Sequence, residues 1–155
     1  MLNIKHFLTV LFIMATFAGF SQLHVSYSSI QQTYGQANLT QFNTKNSTVE
    51  LKKLTSTETI QFTYNQAHLV TGIEITNQQG ISNKRFHTLA KQLVPNFKLT
   101  ASGTTPTNTF LYDSKNNILT VKYYSSNQKT ALYKIAFISD MPAILALVPN
   151  ISSWP

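Results

Sequence analysis

Two short runs, Thr59 to Tyr64 and Leu69 to Thr76, constrain this chain more than any other feature, because each alternates apolar and polar residues. Successive side chains of a strand point to opposite faces, so Ile60, Phe62 and Tyr64 share one face while Gln61 and Thr63 take the other. Ile73 and Ile75 repeat the pattern in the second run, and the turn-forming Asn65-Gln66-Ala67 lies between them, which predicts a β-hairpin. Thr48 to Leu54 alternates as well, with Val49 and Leu51 facing one way. Further on, Thr109–Tyr112, Ile118–Tyr124 and Thr130–Ser139 are predicted strands, separated by the polar turns Asp113–Asn117 and Ser125–Lys129. Three strands joined so closely make an antiparallel meander. A shorter strand is expected over Phe97–Ala101, with Gln36–Ser47 and Ser102–Asn108 as loops.

Two segments carry the helical period instead. Tyr27, Ile30 and Tyr34 fall on one helix face, with Ser26 placed to cap the start and Gly35 to end it. Phe86, Leu89, Ala90 and Leu93 do the same between Ser82 and Pro95, and Pro95 stops the helix because it has no N–H to donate. The apolar tail, Met141 to Pro155, has room for one or two helical turns at Ala143–Val148, and Trp154 is expected to dock on the body. The prediction is an α+β protein: an antiparallel sheet with two short helices on one face.

The first residues read as an address rather than as structure. Lys5 and His6 precede an apolar run from Phe7 to Phe20, about 14 residues, against the roughly 20 needed to span a bilayer. Gly19 and Ser21 are small residues placed for cleavage before Gln22. We therefore expect a signal peptide at 1–21, a single domain at 22–155, a periplasmic or extracellular location, and no membrane span once the signal is cut. The remaining chain carries 11 Lys and Arg against 5 Asp and Glu, a net charge of +6. Its cations are scattered, with Lys52-Lys53 and Lys84-Arg85 as the adjacent pairs, so it lacks the clustered, aromatic-interleaved bases of a nucleic-acid binder.

Reactive side chains are scarce. The chain has no cysteine, so neither disulfides nor thiolate metal sites are available. His68 and Glu74 would lie about 20 Å apart along a regular strand, too far to share a metal. His87 sits beside Lys84 and Arg85, a poor place for a cation. Asp113 and Asp140 occupy turn or capping positions, and the other acids read as solvent-facing strand residues. No nucleotide-binding or hydrolase motif occurs. The expectation is a protein that is not an enzyme and needs no cofactor or metal. A small secreted hydrolase using Asp113, His68 or His87 is the alternative, together with an envelope carrier holding a lipid or small ligand between helix and sheet. Aromatic residues carry the interaction signal: Tyr123, Tyr124, Tyr133 and Trp154 are the candidate partner-binding residues, because Tyr and Trp bury area at low entropic cost.

The two halves look alike. Phe62-Thr63-Tyr64-Asn65 and Phe110-Leu111-Tyr112-Asp113 lie 48 positions apart, and at that offset Val70, Ile73 and Ile75 meet Ile118, Val121 and Tyr123. Residues 27–76 and 83–138 are thus candidate units of a tandem helix–sheet duplication, each too small to bury a face alone. The helix ending Ile30-Gln31-Gln32-Thr33-Tyr34-Gly35-Gln36-Ala37, followed by a sheet with Phe62-x-Tyr64 before a turn, is similar to the SmpA/OmlA and β-lactamase-inhibitor-protein-like group of exported bacterial proteins. Ala37 stands where that group often has Pro. The resemblance implies a sheet face that binds another protein or an envelope component.

Overall fold

The computed structural model describes residues 21–44, 47–126 and 131–154. The expected signal peptide at 1–21 lies, apart from Ser21, outside these residues. One eight-stranded antiparallel sheet runs through the molecule. In chain order the elements are α1 (Tyr27–Tyr34), β1 (Thr40–Asn43), β2 (Thr48–Lys53), β3 (Glu58–Tyr64), β4 (Val70–Asn77), α2 (Asn83–Leu93), β5 (Ala101–Thr104), β6 (Asn108–Asp113), β7 (Ile118–Tyr124), β8 (Leu132–Ile138) and α3 (Met141–Leu147). The spatial order is β1-β2-β3-β4-β8-β7-β6-β5. Each half is thus a helix followed by a four-stranded meander, and the halves join where β4 meets β8.

That seam is a two-fold arrangement. Gly72 pairs Ile138 and Thr76 pairs Lys134, so Glu74 and Ala136 face each other at the midpoint. Each half carries a bulge at a corresponding place: Thr71 is the extra residue opposite Thr63 and Tyr64, and Tyr133 the extra one opposite Tyr123 and Tyr124. The symmetry lays β3 on β7 and β4 on β8. The 48-residue offset expected from the sequence lays β3 on β6, and the sheet does not follow it. Phe62 and Tyr64 point to one face, Phe110 and Tyr112 to the other, into two separate cores.

α1 and α2 lie on the same face, here the inner one. Local chemistry sets their ends. Ser26 Oγ accepts from Ser29 N at 3.3 Å and Ser82 Oγ from Arg85 N at 3.1 Å, each satisfying an orphan donor of the first turn. Gly35 ends α1 at φ 79°, a left-handed value that glycine adopts without strain. Beneath the helices Ile60, Phe62, Tyr64, Ile73, Ile75, Ile135 and Phe137 are buried with Ile30, Phe86, Leu89 and Leu93. Each such side chain contributes roughly 1.5–3 kcal/mol of transfer free energy. Tyr34 packs on Phe62 with ring centroids 5.1 Å apart, and Tyr27 meets Tyr64 edge-on at 5.2 Å.

The outer face divides at the seam. Over β5–β8 it is apolar: Phe110, Tyr112, Leu119, Val121 and Ala136 are covered by Ile144 and Val148 of the tail and by Ile151. Trp154 also docks here, edge-on to Phe110 at 6.4 Å. Gly103 makes room for it, since a Cβ there would sit 2.6 Å from the indole. The expectation of one covered and one open face is thereby corrected, because the tail shields the second half of the outer face.

Other expectations also change. Gln36–Ser47 is not all loop, since β1 pairs with β2 there as a fully exposed edge strand. The strand expected at Phe97–Ala101 begins at Ala101 and runs through Ser102-Gly103-Thr104, which was expected to be loop. Glu50 and Glu58 are buried rather than solvent-facing. β2 is covered on the inner side by α1, so its nominally polar face lies inside.

Candidate functional site

On the outer face of the first half the alternation that buries Ile60, Phe62 and Tyr64 inward necessarily turns Gln61 and Thr63 outward. Gly72 and Glu74 of β4 join them. At the seam this polar floor meets Ala136 and Ile138 of β8. Asp140 and Ala143, at the start of α3, and Tyr123 of β7 form one wall, and the Asn65-Gln66-Ala67 turn closes an end. The result is a groove of about 710 Å³ running over the seam.

A small electrostatic device lies in it. Glu74 Oε2 and Lys134 Nζ form an ion pair at 3.3 Å, and the same ammonium sits 4.3 Å from the centroid of the Tyr123 ring. Burial, then the charge of Glu74 and the neighbouring Tyr133, push the Tyr123 hydroxyl above its ordinary range, so it remains a neutral donor at physiological pH. Asp140 accepts from Ala143 N at 3.0 Å and so caps α3 as it shapes the wall. The groove therefore offers apolar side chains, a neutral phenol, a partly exposed ion pair and uncharged amide and hydroxyl groups.

The aromatic candidates separate. Tyr123 lines the groove. Tyr133, 37% exposed, stands out of the pleat because it is the bulged residue. Tyr124 turns to the inner face and packs against the helix-side core. Trp154 covers the second core. Sequence reasoning gives Gln61, Thr63 and Gly72 no functional role and weighs Glu74 only as a metal ligand with His68. Their one signal was the polar phase of the same alternation that located the strands.

The residues of the enzymatic alternative lie on separate elements. His68, in the β3–β4 turn at φ 57°, meets Tyr27 edge-on at 6.2 Å. His87, on α2, packs beside Phe86 at 5.3 Å. Asp113 ends β6 and is buried. It accepts from Lys98 N at 2.7 Å, from Lys115 N and Asn116 N at 3.1 Å each, and from Asn116 Nδ2 at 2.8 Å. Burial pushes its carboxyl up, but these bonds outweigh it and hold the group below its usual range. Among the described residues no three His, Asp or Glu gather to hold a metal ion. No helix of the described residues is long and apolar enough to cross a membrane.

No family model matches the chain, and no curated protein does. Among solved structures it is similar to the 1.5 Å crystal structure of an extracellular protein containing a SCP domain from Bacillus anthracis str. Ames. The two share 10% identity at a TM-score of 0.47, over 79% of this chain and 46% of that one. The chain thus corresponds to less than half of that protein, and a likeness of this degree carries no argument about function.

Proposed function

We propose that this chain is an exported, non-enzymatic domain that holds another protein or an envelope component on the open half of its outer sheet face. The observation that carries the reading is the division of that face at the β4–β8 seam. The apolar half is covered by the chain's own tail, whereas the polar half, floored by Gln61, Thr63, Gly72 and Glu74, adjoins a groove of about 710 Å³ and has no cover among the described residues. The surface suits a partner that is bound by shape and hydrogen bonds, with Tyr123 and Tyr133 as the aromatic anchors. The short basic and apolar lead-in ahead of Gln22 supports export. The resemblance to the β-lactamase-inhibitor-protein-like group supports the use of a sheet face.

The test is capture from the native envelope fraction by the full chain and by Gln61→Arg, Tyr123→Ala and Tyr133→Ala, with Lys53→Glu as a control outside the groove. A partner held by the parent chain and by Lys53→Glu but released by Gln61→Arg supports the reading. Equal capture by the parent and all three groove variants rejects this face as the binding site.

A further inference from the structure

The sheet has two edges, and they differ in what they offer. β1 and β5 each pair on one side, and among the described residues no strand meets the other side of either. Hydrogen-bond parity fixes which groups β1 leaves open. Thr44 N donates to Ser47 O at 2.8 Å, in the register that pairs Phe42 with Val49 and Thr40 with Leu51. Bonding alternates along an antiparallel pair, so Thr40, Phe42 and Thr44 turn their backbone groups toward β2. Gln41 and Asn43 turn theirs, an N–H and a C=O each, away from the sheet.

That row is complementary to itself. When β1 lies antiparallel to β1 of a second copy with Phe42 on the two-fold axis, Gln41 of each chain stands opposite Asn43 of the other. Every outward N–H then meets a C=O. Phe42 faces its own copy as a non-hydrogen-bonded pair, with Cα atoms about 4.5 Å apart and both rings on one side of the sheet. Phe42 has apolar area to bury there, being 46% exposed on a strand exposed throughout. Nothing on β1 guards against such pairing: Gln36 to Thr44 contains no charge and no Pro, and the β1–β2 register runs without a bulge. In a chain with 12 Lys and Arg against 5 Asp and Glu, an uncharged edge is where two copies meet without repulsion. β5 lacks this fit. Thr105 N donates to Asn108 O at 2.9 Å, so Ser102 and Thr104 face outward, and Gly103, lying under Trp154, would bring no side chain to the axis.

We propose that two copies of this chain pair β1 to β1 about a two-fold axis through Phe42, joining their sheets into one. The axis relating antiparallel neighbours stands perpendicular to the sheet, so the outer-face grooves of both copies open on the same side. The inference does not depend on what those grooves hold. Two short edges bury less than the ~1,200 Å² of a stable interface, so the dimer exchanges with monomer.

The test is sedimentation equilibrium of the full chain over a range of concentrations. The leading apolar stretch is common to every variant, so differences among them read β1. The parent should show a reversible monomer–dimer equilibrium. Asn43→Pro removes an outward N–H and no β1–β2 bond, and should lower the association constant roughly a hundredfold, about tenfold for each copy. Phe42→Lys, which sets like charges opposite each other, should lower it as well. Circular dichroism verifies that the variants fold. Because the chain has no cysteine, Phe42→Cys reads the register. Mild oxidation should link it into a dimer, since about 4.5 Å lies within the ~4.4–6.8 Å between Cα atoms that a disulfide spans. Ser114→Cys, on the exposed β6–β7 turn, should stay largely unlinked. A parent monomeric up to on the order of 1 mM, a dimer untouched by Asn43→Pro, or equal linking of the two cysteine variants overturns the proposal. Growth beyond two copies overturns it too, because a two-fold contact closes on itself. A parent that stays monomeric, and whose Gln41 and Asn43 amides gain hydrogen-exchange protection only when envelope extract is added, gives the edge to another protein's strand and likewise overturns it.

Discussion

The two halves of the sheet share an order of elements and differ in which side they make apolar. In β3 and β4 the large residues Phe62, Tyr64, Ile73 and Ile75 face the helices, and the opposite side is Gln61, Thr63, Gly72 and Glu74. In β6 and β7 Phe110, Tyr112, Leu119 and Val121 face away from the helices, while Thr120 and Lys122 lie beneath them. The consequence is architectural. The second half has its own lid, supplied by the tail; the outer side of β3 and β4 carries none among the described residues. Polarity, more than strand order, decides where the molecule is open.

The largest test of this contrast is deletion of the chain after Ser139. Removing Ile144, Val148, Ile151 and Trp154 bares a whole apolar face, a loss of more than about 5 kcal/mol. The truncated chain should aggregate or bind a hydrophobic dye. Persistence of a monomeric, cooperatively unfolding chain would refute the claim that the second half needs its lid. Phe62→Ala, at the centre of the first core, should cost about 3–5 kcal/mol by denaturant unfolding while leaving the tail docked.

Acid sharpens the comparison. Burial pushes the Glu58 carboxyl up, but hydrogen bonds from Arg85 and Asn77, and the Arg85 charge, hold it below its usual range. A carboxyl whose folded pKa is depressed adds stability that is fully present above the unfolded value, about 4.3 for Glu, and is lost as pH falls through the folded one. Glu58→Gln should therefore remove about 1–2 kcal/mol at neutral pH, discounted because Arg85 is partly solvated, and flatten the acid limb of the stability curve. A curve with the parent's acid slope would contradict this. The effect should appear first as α2 loosening in hydrogen exchange, because the pair ties that helix to β3. Asp113→Asn should act on the other half, loosening the 113–117 turn. Asp140→Ala, which removes the α3 cap, should cost about 1 kcal/mol in thermal unfolding. Gln61→Arg, on the open face, should change stability by no more than about 0.5 kcal/mol, so any loss of partner capture is a binding effect.

Much of the fold was legible. Both inner helices, with Ser26, Ser82 and Gly35 at their ends, followed from period and capping chemistry, and β3, β4, β6, β7 and β8 from alternation and turns. The edge strands were not legible. Thr40-Gln41-Phe42-Asn43 is exposed on both sides and has only Phe42 to mark a face, and Ser102-Gly103-Thr104 lacks large residues, with Gly103 lying under an indole. The 48-residue offset matches β3 to β6, whereas the strand order sets β3 against β7: Phe-x-Tyr recurs in β3 and β6, and alternation alone does not say which face of a sheet an aromatic pair takes. Of the site, Tyr123 was visible as an aromatic on a strand. The groove floor was not, since amide, hydroxyl and glycine positions look the same on an idle surface as on a working one.

The seam has a further consequence for how the chain is made. β4 receives its second neighbour only from β8, the last strand to emerge. Until then the first meander presents a bare row of backbone donors and acceptors beside Ile73 and Ile75, through the synthesis of everything between them. In crowded surroundings the β4 of another copy could occupy that row. A chaperone that holds this edge, or rapid completion of the C-terminal half, would decide between a closed monomer and an exchanged pair.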